Sequence, residues 1–125
     1  MQLRFLGKET TGGQSPTLYA TDQDSYVVQG WIVTDGSVLS MLDMPEDETV
    51  VEVYARLMSH LAKDGLSSQV IRETDPIVHV TENGNYVLRG KRVTDEEALG
   101  QMDIPGHETA IEIPRDVMVE LVKGS

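Results

Sequence analysis

Three histidines, His60, His79 and His107, and a run of acidic side chains, Asp43, Glu46, Asp47 and Glu48, are the residues whose types could do chemistry in this 125-residue chain. Acid–base or metal chemistry needs such groups to converge, and the spacing brings few of them together. Only His107 has a carboxylate beside it, Glu108; no HExxH pattern occurs, and without cysteine there is neither a thiolate ligand set nor a sulfur nucleophile. The acidic run "DMPEDE" lacks the spacing and central glycine of a calcium loop and reads as a solvated turn. "GKETTGGQS", residues 7–15, has the composition of a phosphate loop but not its order. A P-loop lysine closes the glycine run and precedes Ser or Thr at a helix start, whereas Lys8 comes before the glycines and "SPTLY" is extended. The expectation is a protein that is not an enzyme, with no catalytic residue, no cofactor and no metal.

Net charge narrows the partners. The chain carries a formal charge of -11, with 3 basic and 9 acidic side chains over residues 1–62 and 7 and 12 over residues 63–125. Neither half offers a broad basic surface to neutralise phosphates, so direct nucleic-acid binding is not expected; the charge either attracts basic partners or only keeps a small protein soluble. An apolar fraction of 39% suits a folded chain. No apolar run approaches the length of a membrane span, and "MQLRFLGKE" has no apolar signal core. A soluble, cytoplasmic protein is expected.

The elements that must position any site are written twice. "DMPEDETVVEV" at residues 43–53 returns as "DIPGHETAIEI" at residues 103–113, and at this offset of 60 residues positions 15–61 align with 75–121 without a gap, with 16 of 47 identical. Two copies are too few for a solenoid, so the expectation is a pseudo-twofold pair sharing one core. Unit one is residues 1–62, with an N-terminal strand and a glycine-rich loop, unit two is residues 63–125, and together they make one compact domain.

Each unit reads as ββαβα. "TLYAT" and "YVVQGWIVT" predict a hairpin, repeated by "IVHVT" and "YVLRGKRVT" around the Asn83-Gly84 turn. Gly30 and Gly90 fall mid-strand, where a bulge or a close backbone approach is the usual reason. Thr94 and Glu97 have capping-box spacing for a short helix. Val51 and Val53, like Ile111 and Ile113, predict an inward-facing strand leading to a terminal helix. Leu57, Met58 and Leu61 mark one such helix; Val117, Met118 and Leu121, with Pro114 at the first position, mark the other. The fold class is α+β with a mostly antiparallel sheet.

The copies differ most at "QGWI" against "RGKR". By strand alternation Gln29 and Trp31 share a face, as do Arg89 and Lys91, with Ile32 and Arg92 opposite. One copy offers the only tryptophan and the other a basic cluster, both favoured in interfaces. These six residues are the candidate interaction site. The alternative is that Trp31 fills a core while "RGKR" is a charged edge that blocks strand pairing.

"RFLGKETTGGQSPTLYATDQDSYVVQGWIVTD" followed by "LDMPEDETVVEV" resembles a family of small acidic actinobacterial proteins of Streptomyces type, often encoded near helix-turn-helix regulators. The resemblance implies a non-enzymatic accessory of transcriptional regulation, acting on a basic DNA-binding protein in the manner of an antitoxin or anti-regulator. "AIEIPRDVMVEL" resembles the swapped-hairpin antitoxins, which implies a DNA-binding alternative. A third reading is a small-ligand binder or minor enzyme that uses the cleft between units. Homo-oligomerisation is left open by the duplication.

Overall fold

A computed structural model of the chain describes residues 1–9 and 16–123; the glycine-rich connection expected at residues 7–15 lies mostly outside them. The elements in order are β1 (Leu3–Lys8), β2 (Thr17–Thr21), β3 (Ser25–Ile32), α1 (Gly36–Ser40), β4 (Glu48–Val53) and a 3₁₀ helix (Ala55–Asp64), then β5 (Ile77–Val80), β6 (Tyr86–Arg92), α2 (Glu96–Gly100), β7 (Glu108–Pro114) and α3 (Arg115–Val122). The protein is α+β, with seven strands in one sheet whose pairings among the described residues are all antiparallel. Both expected hairpins form, β2 with β3 and β5 with β6, and Gly84 takes the left-handed backbone its turn requires, with φ of 82°.

The long strands exchange partners between the two halves. β3 pairs along its length with β7, from Ser25 opposite Pro114 to Trp31 opposite Glu108, while β6 pairs with β4, from Tyr86 opposite Val53 to Lys91 opposite Glu48. The ends of the same strands turn back to their own half: Trp31 and Ile32 meet Glu52 and Val51, and Lys91 and Arg92 meet Glu112 and Ile111. The path β3–β7–β6–β4–β3 is thus a closed ring. β1 and β2 extend it beside β3, and β5 extends it beside β6.

Closure requires backbones to touch at the two mid-strand glycines. A Cβ on Gly30 would stand 2.6 Å from the Glu52 carbonyl oxygen, and one on Gly90 would stand 2.7 Å from that of Glu112. The reason for both glycines is therefore close approach. Inside lies a core of Tyr26, Val28, Val51, Val53, Leu88, Ile111 and Ile113, closed by Leu57, Met58 and Leu61 of the 3₁₀ helix and by Met118, Leu121 and Val122 of α3. A second buried set, including Val27, Val50, Val87 and Ala110 with Val38 of α1 and Ala98 of α2, stands apart from that core. The ring strands are consequently apolar on both faces.

Several local expectations are corrected. The cap of α2 is Asp95, whose carboxylate accepts the Ala98 N–H at 2.9 Å; Glu97 is held away by the Met1 ammonium at 2.5 Å, so no capping box forms with Thr94. Pro114 ends β7 and caps α3 instead of opening it. The segment after β4 is 3₁₀ throughout its ten residues, beyond the usual length of such turns. Its polar side is tethered to β1 and the residue after it, with His60 to Glu9 at 2.8 Å, Lys63 donating to the Leu6 carbonyl at 2.8 Å, and Arg56 also on Glu9. Its apolar side is sunk in the core, and these two sets of contacts hold the tighter winding.

Gly30→Ala should destabilise the protein by about 1–3 kcal/mol, the usual cost of overpacking. Gly36→Ala, with nothing within 4 Å of the added Cβ, should be neutral or stabilising by up to about 1 kcal/mol. Chemical denaturation of the two variants in parallel measures both.

Candidate functional site

The two tetrapeptides singled out by sequence stand at corresponding points of the ring. Gln29 on β3 is 2% exposed; its amide donates to Glu108 Oε1 at 2.6 Å and to the Asp103 carbonyl at 2.9 Å. Sixty residues on, Arg89 on β6 is half-buried and donates to Glu48 Oε1 at 2.6 Å. Position 29 holds a glutamate of β7 and position 89 holds a glutamate of β4. A second pair of contacts follows the same scheme, with Ser25 donating to Glu112 at 2.6 Å and Asn85 donating to Glu52 at 2.9 Å. Four of the five glutamates of the twice-written stretch, Glu48, Glu52, Glu108 and Glu112, therefore fasten residues of opposite halves.

Gln29 lies inside the fold and is not part of a surface. Trp31 is half-buried, its indole edge-on to Tyr54 at 4.9 Å between centroids and 89° between planes, with the Arg56 guanidinium 4.2 Å over the same Tyr54 ring. Aromatic and cation–π contacts of this kind make Trp31 one part of a three-residue stack. Ile32 is 45% exposed. On β6, Lys91 and Arg92 are exposed, and the Arg92 guanidinium donates to the Glu46 carbonyl at 3.0 Å. The charged-edge alternative for "RGKR" does not hold, because β6 is paired with β4, β5 and β7. β3 and β6 are not paired with each other, so the tryptophan and the basic cluster stand on separate strands of the ring.

Beside Arg89 and Lys91 opens a cleft of about 580 Å³ lined from both halves, by Asp24, Glu48, Asp75 and Glu112 as well as the two cations. Its volume falls in the range of small-molecule sites. Asp64, which closes the 3₁₀ helix, gathers a cluster that sequence reading missed: the Tyr26 hydroxyl donates to it at 2.5 Å, and Arg4 and Arg115 pair with it. Burial acts to raise the Asp64 carboxyl, but Tyr26 and the Arg4 and Arg115 guanidinium groups outweigh it and the net shift is downward. The Tyr26 hydroxyl is pushed up to about 12, first by burial and then by Asp64. No sequence signal joins these four residues, since they come from four separate segments.

Among the described residues, every buried side-chain nitrogen and oxygen has a partner, and no three His, Asp or Glu side chains gather as a metal site. No helix of the described residues is long and apolar enough to cross a membrane. Compared with models of protein families, with curated proteins and with solved structures, the chain matches none.

Glu108→Ala should cost about 1–3 kcal/mol, because it takes a partner from the buried Gln29 amide. Glu48→Ala, which opens a partly exposed pair with Arg89, should cost less than about 1 kcal/mol, and denaturant unfolding separates the two. The raised Tyr26 hydroxyl contributes stability that is complete below its ordinary value of 10.0 and is lost as pH rises toward about 12. Ultraviolet titration should find one fewer tyrosine ionising there in Tyr26→Phe than in wild type.

Proposed function

We propose that the chain is a non-enzymatic protein-interaction module, an accessory of transcriptional regulation that acts in the cytoplasm on a basic DNA-binding partner such as a helix-turn-helix regulator. In this reading it is one of the small acidic actinobacterial proteins it resembles. It consists of two tandem ββαβα-like repeats, residues 1–62 and 63–125, set in a pseudo-twofold arrangement within one domain. Supporting the arrangement is the repetition of registers at an offset of 60: Trp31 with Glu52 and Lys91 with Glu112, Tyr26 with Ile113 and Tyr86 with Val53.

The observation that carries the functional reading is where the charge goes. Arg4, Arg56, Arg89 and Arg115 are spent on carboxylates of the same chain, and Lys63 and Arg92 on its carbonyls. Meanwhile Asp43, Glu46 and Asp47 stand exposed within a net charge of -11. A surface with this surplus steers basic proteins and repels nucleic acid. Trp31, Ile32, Arg89, Lys91 and Arg92 are the contact residues of this reading, with Gln29 fastening β3 to Glu108 of β7 from within. A second reading, a small-ligand binder or minor enzyme, is favoured by the cleft lined from both halves.

The test is capture from a nuclease-treated actinobacterial lysate with wild type and Trp31→Lys in parallel, after circular dichroism confirms that the variant folds. Wild type should retain a basic helix-turn-helix protein and release it near 1 M salt, where the Debye length is about 3 Å. Trp31→Lys should retain at least about tenfold less, as loss of an interface anchor does. A metabolite that raises the melting temperature, with no protein captured, would establish the second reading instead; steep salt-dependent retention on DNA would point to the antitoxin-like alternative.

A further inference from the structure

The outer edges of the two hairpins are covered differently. On β2 lies β1, with Leu3 opposite Thr21. Its leading end is held by α2 and the β2 turn: the Met1 ammonium meets Asp95 at 3.3 Å and Glu97 at 2.5 Å, the Leu3 N–H donates to Gln101 at 2.9 Å, and the Gln2 N–H donates to Asp22 at 3.0 Å. On β5 there is no such strand among the described residues. β5 ends the sheet, pairing only with β6 among the described residues, and positions 60 beyond β1 form the end of the 3₁₀ helix and a turn.

A groove of about 600 Å³ lies where the missing strand would be. It is lined by Asp35, Ser37, Met41, Thr81 and Glu82, each 60 residues before or after one of the residues that hold β1: Asp95, Glu97, Gln101, Thr21 and Asp22. Val38 and Val87 are its buried floor and Glu52 adds a further carboxylate. Met41, 66% exposed, replaces the amide of Gln101 with an apolar surface.

We infer that the groove between β5 and α1 accepts an extended strand from a partner protein, positively charged at its leading end and apolar at alternate positions, which adds to β5 as β1 adds to β2. Two features fix that chemistry. The strand already seated on the corresponding edge has this form over Met1, Leu3 and Phe5, before its register shifts between Phe5 and Gly7, and the groove is lined by Asp35, Glu52 and Glu82 against the single imidazole of His79. Strand addition draws its affinity from main-chain pairing and its selectivity from alternate side chains. The inference rests on the interaction-module reading and gives it a surface.

The probe is the peptide MQLRFLGK, fluorescently labelled at its carboxyl end and titrated against the full chain by anisotropy. Saturable binding is expected, with amide shifts in the nuclear magnetic resonance spectrum confined to β5, β6 and α1. Asp35→Asn keeps the helix cap, since Asn caps as well as Asp, and should weaken binding about fivefold, the scale of one partly exposed charge pair. Acetylating the peptide's amino terminus should weaken it equally for wild type and no further for Asp35→Asn. Absence of binding, indifference to both changes, or sensitivity to Asp95→Asn in place of Asp35→Asn, meaning that the peptide displaces β1, would each overturn the proposal. Because the probe is independent of the lysate capture, a missing regulator there and a missing peptide complex here are separate failures.

Discussion

Everything in this protein hangs on the contact between backbones at Gly30 and Gly90. β3 has β2 and then β4 along one edge and β7 along the other, and this is possible only if β4 reaches the β3 edge where β2 stops. At that place the Glu52 carbonyl lies where a Cβ of residue 30 would be, and the Glu112 carbonyl does the same at residue 90. With the approach made, the four central strands close on one another. Strand edges become hydrogen-bonded interior, and the apolar residues on both faces have somewhere to go.

Closure also explains how small the helices are. α1 and α2 have five residues each, too few for stability of their own. Each is a capped turn whose single buried side chain, Val38 or Ala98, plugs the outer face of the ring. The 3₁₀ helix and α3 close the inner face, and their polar fastenings run to β1 and to the Tyr26–Asp64 cluster. The polar and apolar parts of these elements therefore serve one purpose, to shut the two open sides of a sheet that has already joined its own ends.

Much of the architecture was legible in the residues. The alternation in "YVVQGWIVT" and "YVLRGKRVT", the Asn83-Gly84 turn and the recurrence of Val51, Val53, Ile111 and Ile113 as inward residues all correspond to observed strands and turns. Mid-strand glycines announced a bulge or a close approach, and the structure shows the second. What they could not announce was its partner, because pairing β3 with β7 instead of β4 alone is a three-dimensional choice that leaves the same period-two pattern. The candidate site was legible only in part. Trp31 and the basic cluster stood out as differences between copies, but Gln29 reads as polar and therefore external until its partner Glu108 is seen. The Tyr54 and Arg56 stack, the Asp64 cluster and the groove at β5 come from residues far apart in sequence. Helix type was decided by tethering to β1, which propensity does not encode.

The exchange of β3 with β7 has a consequence for the order in which the molecule can be made. The two strands are separated by α1, β4, the 3₁₀ helix, β5, β6 and α2, so the first hairpin leaves the ribosome long before its long strand can be matched on both edges. At about 5–20 residues per second, β3 waits several seconds for residues 108–114 to be synthesised. During that interval its apolar face is covered only by β1, β2 and nascent neighbours. Such long-range pairing places the protein among slowly folding topologies, and a net charge of -11 sets copies of the waiting chain to repel one another.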